Sequence, residues 1–450
     1  MSYKALPVDA VYRLVGFGWY QWMLFLICGL GYCMDSVQTG LIYFLHDAVA
    51  QEWPYVEGIE QNFVVMGVFV GQLLGGGIWG PLADRYGRRK TFLLSNILLL
   101  LFGGLSALVQ TYWQFVAARV LVGVCIGGIV IPVETLAESV DETRAQQFAF
   151  ALNYWWSFGT IYVNGCAALV LDGIGVSGWR LLVGVSTIPI VLPCLGFFLM
   201  EESPMWLLDQ GRVQDALTVL QRMANKNGND ISDVSLIPHR RHSEVSVSEL
   251  FSRSLRLRTL TFAVIWFLMS FGYFGASLAG PYIFATKSGE TNYASMFFAC
   301  SGEFLGVAVG SVVLKVLGPM FTQTFLYTMG AVSCLSITLK DVMPRGILII
   351  CDFFLRMAMM GGSCIVFTAT PLAFPTHVRS TAHGFQYAVG RLGCIMASSW
   401  PASTPLCVLL VTYASANCVS AVVPAVGHTL GRVPEENKSD QTYRLLAADM

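Results

Sequence analysis

Twelve stretches of roughly 20 mostly apolar residues recur along the chain. Each is long enough to cross a bilayer as a helix, the form in which a lone segment satisfies its own backbone groups in lipid. They fall near residues 22–45, 61–82, 91–111, 114–136, 146–171 and 179–199. A polar stretch follows from Glu201 to about Arg258. Six more lie near 259–284, 292–314, 321–339, 346–372, 380–400 and 404–426. Composition agrees: 55% of the 450 residues are apolar and 12% charged, against about a quarter charged in a soluble domain. A soluble enzyme is excluded.

The two sets of six echo each other. Arg119-Val-Leu-Val-Gly123 opens span four, and Arg356-Met-Ala-Met-Met-Gly361 lies in span ten. Each segment ends at an arginine, Arg144 and Arg379 respectively. Duplicated halves of this kind are the usual build of alternating-access carriers. The expected fold is an all-α membrane protein of twelve transmembrane helices in two pseudo-symmetric six-helix bundles. The expected division is an N-terminal bundle over 1–200, a central loop over 201–258, a C-terminal bundle over 259–430 and a tail over 431–450. Within the loop, residues from about Arg212 to Asn225 read as one amphipathic helix with Val213, Leu217, Leu220 and Met223 as its apolar stripe. Residues 229–248 read as polar and loose, with His239-Arg-Arg-His-Ser243 as a basic surface.

Basic residues set the expected orientation. With both termini inside, the inner segments hold 20 of the 27 Lys and Arg residues, and the outer edges hold only Arg180, Lys287, Lys340 and Arg345. Lys and Arg concentrate on the cytoplasmic side of membrane proteins, so both termini are expected to be cytoplasmic. Which cellular membrane is involved stays open. The polar start, Met1 to Arg13, leads into an apolar segment too long for a cleavable signal, so the first span is expected to stay. A net charge of −1 gives no basic surface for nucleic acid. The 12 Cys contain no CxxC pair, and no Walker, dinucleotide or HExxH motif is present. Neither a disulfide framework, a metal, a cofactor, nor enzymatic or ATP-driven activity is expected.

Charges within spans cost roughly 2.5–3.5 kcal/mol each by insertion scales, and usually face an interior or a water-filled path. Asp35, central in span one, can take up a proton, bind a cation or pair with an arginine across a cavity. Arg119 in span four either organises that cavity or binds an anion. Arg356 in span ten has Asp352 one turn earlier, a spacing that permits a local pair. Glu303 in span eight is expected to pair with Arg391 in span eleven. Tyr154, Trp155 and Trp156 in span five, and Trp266, Tyr273 and Phe274 in span seven, are the candidate aromatics for stacking or cation–π contact with an organic ligand. Gln38 and Tyr273 are the preferred pocket members. Glycines such as Gly71, Gly75, Gly123 and Gly127 are expected at close helix contacts.

Between spans two and three stands Gly80-Pro-Leu-Ala-Asp84-Arg85-Tyr-Gly87-Arg88-Arg89-Lys90, a tight turn with one carboxylate among four cations. Asp84 can pair with a neighbouring guanidinium or sit at a helix N-terminus. Glu134 and Glu138 in span four, with Arg88, Arg89 and Arg144, are expected to form an inner gate network, and Arg379 marks the matching place in the second half. The loop resembles the signature of the major facilitator superfamily. Four further stretches are similar to the branch of synaptic vesicle 2-related proteins and organic cation/anion carriers. These are Gly16-Phe-Gly-Trp-Tyr-Gln-Trp22, Glu202-Ser-Pro-Met-Trp-Leu207, Ile265-Trp-Phe267 continuing to Gly275, and Pro375-Thr-His-Val-Arg-Ser380 with Gly390-Arg-Leu-Gly393 beyond. In the superfamily the Arg119 segment is tied to structure and proton coupling.

Two departures stand out. Leu372-Ala-Phe-Pro375 lacks the glutamate that usually precedes Pro-Thr in the branch. Lys315-Val-Leu-Gly318-Pro319 after span eight is a degenerate copy of the first loop. The resemblance implies secondary active or facilitated transport of a small organic ion by alternating access, with a proton as the first coupled ion to consider and a monomer as the functional unit. The alternatives are a sugar porter, although span seven lacks that group's glutamine pair, and a non-transporting membrane sensor or trafficking protein.

Overall fold

The computed structural model describes residues 4–140, 142–237, 246–286, 291–375, 378–400 and 404–430. The basic stretch 239–243, Lys287, Thr376, His377 and the tail over 431–450 lie outside the described residues.

Among the described residues twelve helical spans form, six in each half. Span one is Trp19–Leu41, span two Phe63–Tyr86 and span three Arg88–Ser106. Span four runs Tyr112–Ile126 and continues as Val130–Ala137; span five is Glu142–Ile174; span six runs Trp179–Thr187 and continues as Val191–Gly196. In the second half, span seven is Arg256–Leu278 and span eight runs Tyr293–Cys300 into the first part of Gly302–Ile337. The remainder of Gly302–Ile337 is span nine. Spans ten, eleven and twelve are Arg345–Ala373, Arg379–Ser398 and Leu406–Leu430.

Hydropathy and length alone recognise ten candidate spans among the described residues, because two features hide the others. Spans eight and nine join into one long helical run, in which Gly318 at φ 74° turns the chain ahead of Pro319. Span eleven is too polar, carrying His383, Gln386 and Arg391 toward the protein interior. Gly318 has a counterpart in Gly87, at φ 97° between spans two and three. Positive φ costs a glycine little and other residues more. The loop after span eight thus keeps the turn of the first loop without its charges.

Small residues decide which helices touch. A Cβ at Gly71 or Gly75 in span two would run into the backbone of span four at Val120 and Val124. A Cβ at Gly302 or Gly306 in span eight would run into the backbone of span ten at Phe353 and Met357. The same pair of spans is therefore fused in each half, with side-chain bulk removed so that backbones approach closely.

The loops between spans two and three and between spans four and five, with the central loop, lie at one end of the bundle, hereafter the basic end. There the helix Val213–Lys226 buries Ala216, Val219, Leu220, Met223 and Ala224. Asn227 at its end donates from Nδ2 to the Gly16 carbonyl at 3.0 Å and to Gln21 Oε1 at 2.8 Å, and its Oδ1 accepts from the Tyr20 amide at 3.0 Å. The stretch expected to be loose is partly ordered: Val234–Leu236 pairs in parallel with Lys4–Leu6. The buried side chains of Val234 and Leu236 give this pair an apolar footing.

Candidate functional site

A cavity of about 400 Å³ lies between the halves and runs from the centre to the basic end. Gly80 and Ala83 of span two, Glu134 of span four, and Arg379 and His383 of span eleven line its wider part. Its deep part shares Tyr32, Asn153, Phe367 and Tyr387 with a central pocket of about 40 Å³. At the opposite, far end the halves meet. Asn62 donates to the Trp400 carbonyl, Tyr282 and His46 hydrogen-bond at 3.0 Å, and Phe44 packs edge-on against Tyr293.

The pocket is aromatic and draws on both halves. Tyr32 and Trp156 come from the first; Trp266, Tyr273, Phe274, Phe367 and Tyr387 come from the second. Among the described residues one charged side chain lines it, Arg391, whose guanidinium carbon stands 4.3 Å from the Tyr387 ring centroid and 5.7 Å from that of Phe274. Rings on two sides fix that cation by their negative faces. Asp35 lies one turn beyond Tyr32 on span one, buried at 7% exposure, and Arg391 is the charged group whose field acts on it.

Tyr273 joins the halves through its hydroxyl. It accepts from Trp156 Nε1 at 3.0 Å and donates to Glu303 Oε2 at 3.0 Å. Behind it lies a charged cluster in which Arg356 Nη1 reaches Glu303 Oε1 at 3.3 Å and Nε reaches Asp352 Oδ2 at 3.0 Å. The Asp352–Arg356 contact has the one-turn spacing visible in the sequence. The expected pairing of Glu303 with Arg391 is corrected: Glu303 binds Arg356. The glycine contact of spans eight and ten brings those two side chains together, whereas span eleven packs against spans seven and two.

Two expected pocket members are also placed elsewhere. Gln38 is fully buried beside Arg119, which donates to the Gln38 carbonyl at 2.9 Å and to its Oε1 at 3.3 Å. Gln38 in turn donates to Thr187 Oγ1 at 3.3 Å, tying spans one, four and six. Arg119 is thus satisfied mainly by an amide and a carbonyl, outside the central pocket. Tyr154 packs on Phe304 at 5.0 Å between ring centroids and does not line the pocket, because Trp156 holds the inward face of span five. Trp266 lines the pocket and donates from Nε1 to Thr370 Oγ1 at 2.8 Å.

At the basic end Arg88 is the hub. It meets Asp84 at 2.6 Å, Glu138 at 3.2 Å and Glu134 at 3.7 Å. Arg89 is not part of this group, contrary to expectation. Its amide donates to Glu202 at 3.0 Å, while its guanidinium donates to the Phe197 carbonyl and covers the Phe197 ring. Consecutive residues on a helix point about 100° apart, so Arg88 and Arg89 cannot serve one cluster. Arg144 stands over Phe17 at 4.8 Å.

Several pocket residues escaped the sequence reading, among them Tyr32, Asn153, Ser270, Ser363, Phe367 and Tyr387. The signal for two of them was present. Tyr32 precedes Asp35 by three residues and Tyr387 precedes Arg391 by four, so each shares a helix face with a charge already singled out.

The family model for sugar and other transporters matches residues 27–400. The synaptic vesicle 2-related protein of Xenopus laevis is 26% identical over 412 residues, spanning 86% of this chain and 74% of that one. Organic cation/carnitine transporter 7 of Arabidopsis thaliana is 26% identical over 438 residues, spanning 86% of each. The partially occluded inward-open xylose transporter XylE from E. coli superposes with a TM-score of 0.71 at 17% identity, covering 93% of this chain and 98% of that one. The signature loop at the basic end, the twelve spans in two halves and a family match over most of the length lead to one assignment. The chain belongs to the sugar and other transporter family of the major facilitator superfamily and is a multi-pass membrane transporter.

Proposed function

We propose that the protein carries a small organic ion by alternating access, with the central aromatic pocket as its binding site. The observation that carries this reading is Arg391 set between Tyr387 and Phe274 in a pocket built by both halves. Such a lining suits a ligand with a charge and a planar or apolar body better than a polyol, which needs many hydrogen-bonding groups at once. The relative named as an organic cation/carnitine transporter supports an organic ion as cargo. Asp35, in the field of Arg391, is the carboxylate that takes up a coupled proton. Tyr32, Trp156, Trp266 and Tyr273 contact the cargo.

In this reading the halves at 1–200 and 259–430 rock about the pocket, joined by the central loop. Arg88 with Asp84, Glu134 and Glu138 forms the gate network of the basic end, and Arg379 lines the opposing wall. The basic end, with both termini, faces the cytoplasm, as the distribution of Lys and Arg supports. The protein functions as a monomer.

The test is uptake of a labelled panel of organic cations, organic anions and hexoses into expressing oocytes at external pH 5.5 and 7.5, with Asp35→Asn alongside. Saturable uptake of an organic ion that is stimulated by acid, and is lost in surface-delivered Asp35→Asn, is the expected result. Uptake indifferent to pH keeps the carrier and removes the proton role of Asp35. Uptake of hexose alone overturns the cargo class.

A further inference from the structure

Behind Tyr273 the second half buries more negative charge than positive. Glu303 of span eight and Asp352 of span ten both bind Arg356 of span ten, and all three side chains are at most 4% exposed. Two carboxylates thus share one guanidinium. Among the described residues no second Lys, Arg or His stands within ion-pairing distance of either acid. The titratable groups that face the cluster are Tyr43 just past span one, Tyr273 of span seven, Cys300 of span eight, Cys334 of span nine, and Cys351 and Cys364 of span ten. Phenols and thiols bring no positive charge. Span five brings Thr160 and Trp156, neither of which ionises.

The two carboxylates are also served unequally. Glu303 has a donor on each oxygen, with Arg356 Nη1 at 3.3 Å from Oε1 and the Tyr273 hydroxyl at 3.0 Å from Oε2. Asp352 Oδ2 accepts from Arg356 Nε at 3.0 Å, whereas its Oδ1 is buried with no hydrogen-bond partner. A buried anionic oxygen without a donor costs free energy. Charge withdrawn from water beyond the count of its counterions costs more, and such groups neutralise instead. One proton cancels the surplus.

We propose that Glu303 and Asp352 share one bound proton around Arg356, a proton site in the second half that Asp35 does not account for. Binding is a simple addition: a proton from water joins one carboxylate, and the charge of the cluster goes from −1 to zero. Two coupled acids titrate as a pair, so the proton belongs to both. Access runs through Tyr273, which lines the central pocket and donates to Glu303. Its hydroxyl can hand its proton to Glu303 Oε2 while taking another from the pocket side, which leaves no charge on the phenol. The same hydroxyl accepts from Trp156 of the first half, so the proton site adjoins a contact between the halves. The site requires neither the cargo class nor the proton role of Asp35 proposed above.

The experiment is infrared spectroscopy of the purified full chain at pH 7, comparing wild type with Asp352→Asn, Glu303→Gln and Asp35→Asn. Wild type should show the carbonyl band of a protonated carboxylic acid that is missing from both Asp352→Asn and Glu303→Gln. Either change leaves one carboxylate with one guanidinium, and the proton is no longer needed. The band should persist in Asp35→Asn, which reads the first half separately. Loss of ionised-carboxylate signal alone in the two cluster variants overturns the proposal. Loss of the acid band in one of them only overturns the sharing, and its loss in Asp35→Asn alone assigns it to that residue instead. Melting temperature gives a second readout should Glu303→Gln fold poorly. A proton held by the folded chain and released on unfolding makes stability fall as pH rises, by up to about tenfold in the folding equilibrium per pH unit. Wild type should therefore lose stability relative to Asp352→Asn between pH 5 and 7. A constant difference across that range overturns the bound proton.

Discussion

Arg356 holds two carboxylates with one guanidinium, and all three side chains are at most 4% exposed. Ions withdrawn from water in this way depend on one another, and removing one partner of a buried pair typically costs about 3–5 kcal/mol. Arg356→Gln should therefore unfold more readily than wild type by an amount of that order, measured as a lowered melting temperature in detergent. Asp352→Asn should be much milder, because Glu303 keeps its cation. The Asp352–Arg356 contact was legible in the sequence, since one helical turn fixes both ends of it. The partner of Glu303 was not. It depends on which faces of spans eight and ten meet, and glycines at positions 302 and 306 decide that by allowing backbones to touch. Gln38 shows the same limit: a buried amide near a cavity helix reads as a pocket residue until Arg119 on another span is seen to claim it.

The helices themselves follow closely from apolar stretches, and ambiguity concentrates where a helix must carry polar groups inward or reverse without a loop. Span eleven and the turn at Gly318 are those places. Contacts between helices test the reading of small residues. Gly75→Val should place its Cβ against the Val124 backbone, forcing spans two and four apart. A destabilisation of about 1–3 kcal/mol, in the range of core overpacking, is expected in thermal unfolding, whereas Gly104→Val, whose Cβ would meet nothing, should be near neutral. At the far end, Glu52 binds Arg180 through two bonds of 2.8 and 2.7 Å and accepts from Trp179 Nε1 at 3.1 Å. Those donors hold the Glu52 carboxyl below its ordinary value. A lowered folded-state value means that the contribution is complete above the unfolded carboxylate range and is lost as pH falls through the folded value. The melting-temperature gap between wild type and Glu52→Gln should thus be present at pH 7 and close as pH drops below about 4. Solvent exposure keeps that gap small.

As a whole, the molecule is caught with its cavity open at the basic end and its far end shut. Among the described residues, contacts across the halves at the shut end include hydrogen bonds and ring edges: Asn62 with Trp400, His46 with Tyr282, Phe44 with Tyr293 and Phe69 with Phe274. Loosening them should populate the opposite state. In purified protein, a cysteine at position 398, which lines the small far-end cavity, should react with a thiol reagent several-fold faster when Asn62→Ala is added. An unchanged rate would mean that Asn62 plays no part in the seal. The charges gathered around Arg88, by contrast, sit on the open rim, where Asp84 is 68% exposed and within reach of dissolved ions. Mobile ions weaken interactions between exposed charges over about 8–10 Å and leave buried dipoles almost untouched. Among the described residues, ionic strength therefore acts more strongly on the charges of the basic end than on the contacts that join the halves at the far end. If the halves rock as proposed, salt in the compartment facing the basic end becomes a modulator of how often the transporter turns over.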